Sequence, residues 1–179
     1  MPAIAYRPLS PAEAGRVLEI DRAEEIDGVY ALVDGALVVR PDRISVPGWH
    51  PATAPGYPRR IREVLAAGGA AFGAFDSGAM VGIGTLDVTP VGGDPTVMAL
   101  DLLHVGAGYR GLGIGKRLAA LVIGRARELG AKALYISATP TRNTVDAYRR
   151  MGAAVLAIPD PEKLALEPED IHLLLPIDG

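Results

Sequence analysis

The chain has 179 residues, 49% of them hydrophobic and 22% charged, enough for one globular domain with a substantial core and too few for a typical two-domain enzyme. Eighteen basic residues stand against 21 acidic ones, a formal charge of −3, and no run of five like charges occurs, so nothing marks a nucleic-acid or membrane-surface binder. Cysteine is absent, which excludes disulfides, thiolate catalysis and cysteine-held metals. The start MPAIAYRPLS lacks a basic segment followed by an apolar run, and no apolar stretch approaches the ~18 residues of a membrane span. A soluble, unprocessed, cytoplasmic protein is therefore expected.

In chain order, Ile4 to Arg7 suits a short strand. Ser10-Pro11 followed by AEAGRVLEI predicts a helix with a serine cap and a proline in its first turn, and Asp21 to Asp27 reads as one or two further helical turns. VYALVDGALVVRP places Asp34-Gly35 between β-branched runs and predicts a hairpin. DRISVPGWHPATAPGYP is rich enough in proline and glycine to be a loop; together these make an enlarged hairpin and loop region at about 29–58. Pro58 to Ala67 has a short helical pattern closed by Gly68-Gly69. AAFGAFDSGAMVGIGTLDV predicts two strands around Asp76-Ser77-Gly78, and Val97 to Val105 a longer apolar strand. Gly111 to Leu129 carries Ile114, Leu118, Leu121 and Val122 at helical spacing and ends at Gly130. Ala133 to Ser137 is a compact strand, Asn143 to Met151 a helix with Gly152 beyond it, and Val155 to Ile158 and Ile171 to Ile177 terminal strands. The order describes a mixed α/β domain, not a bundle or sandwich, and the expectation is a single domain over 1–179.

Between the Val97–Val105 strand and the helix after it lies HVGAGYRGLGIGKRL. Glycines there let the backbone approach an anion, and a helix start supplies unpaired N–H groups. Arg110, Lys116 or Arg117 adds positive charge. Two familiar phosphate motifs fail. A dinucleotide fingerprint needs a third glycine where Lys116 or Leu118 stands, and no acidic residue ends the next strand to bind a ribose. A Walker loop needs Ser or Thr after Gly115-Lys116, but Arg117 is there.

The same segment, with Arg110, Gly113 and Gly115 at the spacing Arg, two residues, Gly, one residue, Gly, resembles the acyl-coenzyme A binding motif of the GNAT N-acetyltransferase family. Downstream, SATPTRNTVDAYRRMG, with Asn143, Tyr148 and Gly152, is similar to the family's second signature. The close resemblance covers about Val97 to Ala157. It implies an acyl-CoA N-acyltransferase fold, α/β with a mixed, mostly antiparallel twisted sheet flanked by helices, in which the strands ending near Val105 and Ser137 splay apart. It implies acetyl-CoA as cosubstrate, with no metal, and direct acetyl transfer through a tetrahedral intermediate to a primary amine of a small molecule or peptide. On this resemblance the backbone of Leu103, His104 and Val105 holds pantetheine, and the Val105 N–H is a candidate oxyanion donor. Arg110, Gly111, Gly113, Gly115 and Lys116 hold the pyrophosphate. Tyr148 is the candidate general acid, against a purely packing role, and Asn143 a pantetheine ligand or simply a helix cap.

The base is less defined. Asp101 lies four residues before Val105 and, by strand alternation, on the same face, with His104 on the other unless a bulge intervenes; Asp101 is the candidate base. Glu24, Glu25 and Asp27 are further acceptor-pocket candidates. Trp49, His50 and Tyr57 stand in the loop, and His50, His104 and His172 have no metal-like spacing. The 29–58 region and the run HLLLPI leave open a lid over the amine pocket or a homodimer edge. A non-catalytic or regulatory CoA-binding module, a different acyl donor, and an O-acceptor stay open as alternatives.

Overall fold

The computed structural model describes residues 3–177. β1 (Ala5–Pro8) leads into a helix over Pro11–Glu19 that has the tighter 3₁₀ pitch. The Ser10 N–H donates to Glu13 Oε2 at 3.1 Å, and Pro11 has no N–H to leave unpaired, so the helix starts where the sequence places it. The expected helical continuation over Asp21–Asp27 is not there. Glu24–Ile26 forms β2, which pairs antiparallel with β5 (Ile44–Val46) after the hairpin β3 (Val29–Val33) and β4 (Ala36–Arg40). Strand pairing to a partner about twenty residues away overrides local helical pattern here. The 29–58 region is accordingly more structured than a loop: it holds the hairpin and β5, and α1 (Gly56–Ala66) begins within it. At the hairpin tip Asp34 and Gly35 have φ of 49° and 79°, the paired left-handed conformations that match strand twist.

The remaining elements follow as β6 (Ala70–Asp76), β7 (Ala79–Asp87), β8 (Val97–Val105), α2 (Ile114–Glu128), β9 (Ala133–Ala138), α3 (Arg142–Arg150), β10 (Ala154–Val155), α4 (Pro161–Leu166) and β11 (Ile171–Pro176). The short helix α4 occupies a stretch that the sequence left unassigned. Seven strands form one sheet in the order β1-β6-β7-β8-β9-β11-β10, and every pair is antiparallel except β8 with β9.

Each face of the sheet is covered. On one, Ile114, Leu118 and Val122 of α2 are buried against Val81, Leu86, Leu100 and Leu103, and α3 adds Val145 and Tyr148. On the other, the 3₁₀ helix and α1 bury Val17, Ile20 and Ile61 against Ala71, Phe75, Ile83 and Leu102. The hairpin leans on the end of β9: the Tyr30 N–H donates to Pro140 O at 2.7 Å, the Arg142 N–H to Gly28 O at 3.0 Å, and the Tyr30 hydroxyl to Asp146 Oδ1 at 2.8 Å. Among the described residues no helix is long and apolar enough to cross a membrane.

Candidate functional site

β8 and β9 pair only at Val97 with Ala133, Met98 with Leu134 and Ala99 with Tyr135; beyond Ala99 they separate and a wedge opens. The cause lies on β8's other side. Leu86 pairs with Leu100, but the preceding Thr85 pairs with Leu102, so Asp101 is an extra residue, a β-bulge. A bulge bends its strand and ends pairing locally. The Thr85 hydroxyl repairs the break, accepting the Leu102 N–H at 2.9 Å and donating to Asp101 Oδ2 at 3.3 Å. Past the bulge the Gly106 N–H donates to Val81 O on β7 at 2.9 Å. Since successive residues aim their backbone groups to opposite sides, the N–H and C=O of Val105 and of Leu103 face the wedge.

The bulge also corrects the expected side-chain faces. Simple alternation puts Asp101 with Val105 and His104 opposite; in the structure Asp101 and His104 share the α1 face. Asp101 meets Arg60 of α1, and His104 packs against Tyr57 of α1 and against Trp49, with ring centroids 5.8 and 6.0 Å away. Val105 packs with Ile114 and Leu118 on the α2 face.

At the open end of β8 the chain turns into α2 through Gly111 and Gly113, both at φ +80°, a conformation that side chains resist. The first helical bond runs from the Arg117 N–H to Gly113 O at 3.0 Å, leaving the N–H groups of Ile114, Gly115 and Lys116 without an acceptor one turn back. Lys116 and Arg117 are exposed beside them. Arg110 turns inward instead: Nε donates to Val105 O at 3.3 Å, Nη1 to Ala23 O at 2.9 Å, and Glu24 Oε2 lies 4.0 Å from Nη2. This N–H array with flanking cations suits a diphosphate. A wedge with strand N–H groups on one wall and a diphosphate cradle at its end has the donors that a coenzyme A thioester needs.

The α1 side of the wedge carries charge. Asp101, its side chain 6% exposed, accepts two hydrogen bonds on Oδ1 from Arg60, at 2.8 and 2.6 Å, and Arg60 also lies 3.5 Å from Glu167. Glu167 belongs to the turn that places Asp170 at the foot of β11, whose first pair is Ile171 with Ala138 at the end of β9; the Asp170 N–H donates to Glu167 O at 3.2 Å. Burial first, and then the Glu167 charge, push the Asp170 carboxyl up to about 6, against the opposing pull of Arg60. His172 is structural: its Nε2 meets Glu167 O at 3.1 Å and its Nδ1 the Tyr135 hydroxyl at 2.9 Å, so its donor and acceptor are both used.

Tyr148, on α3, is buried in the core between α2 and the sheet. Burial, followed by the charge of Asp170, pushes its hydroxyl well up, keeping the proton on the phenol at neutral pH. Asn143 is exposed in the first turn of α3. It is not the cap, since Thr141 holds that place and its Oγ1 accepts the Thr144 N–H at 3.4 Å. His104 is held down to about 3, mainly by burial and next by the charges of Arg22, Arg60 and Arg110. Arg22 Nη1 lies 3.2 Å from His104 Nε2; a guanidinium only donates, so Nε2 accepts and Nδ1 carries the proton. Glu25 accepts from Ser45, while Asp27 and His50 are exposed. Arg60, Asp170, Thr85 and Arg22 had no sequence motif to announce them. A separate groove of about 650 Å³ between the hairpin and the end of α3 has only Tyr30 and Arg149 as polar side chains, too few for acid–base work. Among the described residues no group of three or more His, Asp or Glu is placed to hold a metal.

Comparison with known proteins agrees with this geometry. The model of the acetyltransferase (GNAT) family matches residues 41–153. No curated protein matches the chain. Among solved structures, nourseothricin acetyltransferase superposes with a TM-score of 0.71 at 20% identity, covering 98% of this chain and 99% of that one. A Bacillus anthracis str. Ames protein assigned as a streptothricin acetyltransferase, in complex with acetyl coenzyme A, gives 0.65 at 15% identity over 96% and 95%. The Escherichia coli ribosomal-protein-S18-alanine N-acetyltransferase gives 0.63 at 15% over 98% and 95%. At these identities the likeness is one of fold, while the family match spans more than half of the sequence. The chain belongs to the GNAT acetyltransferase family.

Proposed function

We propose that the chain transfers an acetyl group from acetyl-CoA directly to a primary amine of a small molecule or peptide. The observation that carries this reading is the wedge, with strand amides on one wall, a diphosphate cradle at its end, and the Asp170 carboxyl at the foot of β11, next to the pair Ile171 with Ala138 at the end of β9. The backbone of Leu103, His104 and Val105 pairs with pantetheine, and the loop Arg110–Lys116 binds the pyrophosphate, with Asn143 free to add a polar contact. The Val105 N–H donates to the carbonyl oxygen on which negative charge develops.

Asp170 takes the proton from the attacking amine as the new N–C bond forms, and Tyr148 gives its proton to the departing sulfur as the C–S bond breaks. Asp170 suits the base role because a carboxyl near 6 accepts a proton at neutral pH more readily than an ordinary one. Asp101, the candidate from sequence, is committed to Arg60 and acts in this reading by holding that guanidinium between Asp101 and Glu167. Thiol release from acetyl-CoA, followed across a panel of primary amines, tests the proposal: amine-dependent release with an acetylated amine as product is expected. Tight acetyl-CoA binding with no release for any amine or alcohol would favour the binding-module reading, and release with alcohols alone an O-acceptor.

A further inference from the structure

The α1 face of β8 holds a cation that the transfer reaction above does not use. Arg22 is partly buried, and its guanidinium carbon lies 4.9 Å from the ring centroid of Trp49 and 6.0 Å from that of Tyr57. One of its N–H groups is given to His104 Nε2. No Asp or Glu among the described residues forms an ion pair with it, in contrast to Arg60 and Arg110. Trp49 is itself fixed, donating from Nε1 to Ile20 O at 2.8 Å. The guanidinium is thus held by two rings and an imidazole, with most of its five donors unspent.

The position of this cation gives it a consequence for substrate choice. His104 sits between Leu103 and Val105, whose amides face the wedge, so Arg22 stands over the stretch of β8 where the acyl group is to be held. Three residues back along β8, no more than about 10 Å away, Asp101, Arg60 and Glu167 begin the region where Asp170 lies. The face therefore has a cationic end with unspent donors and an end rich in carboxylates. An acceptor that is positive throughout meets repulsion at Arg22. One carrying an amine and an anion a few bonds apart is matched at both ends.

We propose that Arg22, stacked on Trp49 and Tyr57, is the subsite for a carboxylate on the acceptor, so that the favoured substrates are amino acids or similar carboxylate-bearing amines. This rests on the transferase reading and narrows it, since it sets the acceptor apart from polycationic amines. The expected contact is a forked pair of guanidinium N–H groups on the two carboxylate oxygens.

The chain supplies its own reporter, because Trp49 is its one tryptophan. Titration of the CoA-bound protein with α-, β- and longer ω-amino acids, each beside its methyl ester and its decarboxylated amine, is read by Trp49 fluorescence. A saturable change is expected for at least one class of amino acid, with affinity at least about tenfold weaker for the matched ester and amine, and a similar loss in Arg22→Gln. Arg22→Lys, which keeps the charge without the fork, is expected to fall between, and unchanged CoA affinity in each variant shows that the fold is kept. No response to any amino acid, an equal response to ester and acid, or full affinity in Arg22→Gln would overturn the subsite. Thiol release with the same compounds separates the two claims. Arg22-dependent binding without acetylation defeats the transferase reading alone, and acetylation indifferent to the carboxylate and to Arg22 defeats the subsite alone.

Discussion

Replacing Asp170 by Asn should make the protein more stable and less active, and the stability change should depend on pH in a definite direction. The Asp170 carboxyl is pushed from 3.8 to about 6, so between about pH 4 and pH 6 the folded state holds a proton that the unfolded state has released. Stability therefore falls as pH rises through that window, and the full cost is present above it. At 1.36 kcal/mol per pH unit the interval corresponds to roughly 3 kcal/mol; the residue is only half-buried, and solvent screening reduces this to about 1–2 kcal/mol. Asn has nearly the same shape and no charge to desolvate, so Asp170→Asn is expected to gain that amount at pH 8, about 2–8 °C in melting temperature for a chain of this length, and much less at pH 4. Urea denaturation at the two pH values measures it. The same variant should lose the acidic limb near pH 6 in the profile of kcat/KM, with kcat lowered about 100-fold or more. A variant less stable than wild type at pH 8, or one with equal stability differences at both pH values, would refute the electrostatic argument, and an intact acidic limb would remove Asp170 from the base role.

The other predictions concern the acid, the cradle and the ion pair. Tyr148→Phe should lower kcat by about 100-fold or more while acetyl-CoA affinity, measured by calorimetry, changes little; unchanged turnover would reject the phenol as proton donor. Gly113→Ala meets no neighbouring atom at the added carbon but must adopt φ +80°, so a stability loss of about 1 kcal/mol and weaker acetyl-CoA binding are expected. Arg60→Gln leaves the buried Asp101 carboxylate without its partner, at a cost of about 2–3 kcal/mol by denaturation. Adding Asp101→Asn to Arg60→Gln should recover part of that loss, whereas additive losses would mean that the pair is not coupled.

What the sequence made legible follows from where the physical signal resides. The limits of β8, the hairpin at Asp76-Ser77-Gly78 and the glycine-rich entry to α2 were readable because alternation, turn chemistry and positive-φ glycines are local properties. Residues whose placement depends on distant partners were not. β2 exists because Ile44–Val46 comes back to pair with it. Arg60 meets Asp101 across 41 positions of chain, and Asp170 owes its raised carboxyl to burial and to the charge of Glu167. Alternation along Val97–Val105 is also blind to a bulge, because nothing in LDLLHV distinguishes an extra residue from a paired one. That single irregularity moved Asp101 to the face opposite Val105 and onto the face of His104.

The bulge has an evolutionary side as well. Leu100 pairs with Leu86 and Leu102 with Thr85, so the sheet on the β7 side is already in step without Asp101. Excising this one codon would leave those pairings and the core packing available, while removing the bend that keeps β8 away from β9. The slot would then zip shut into ordinary ladder, and the product would be a folded protein with nowhere to seat a thioester. On the proposed function, a protein of this fold without the extra residue at position 101 is expected to keep its core and lose its slot.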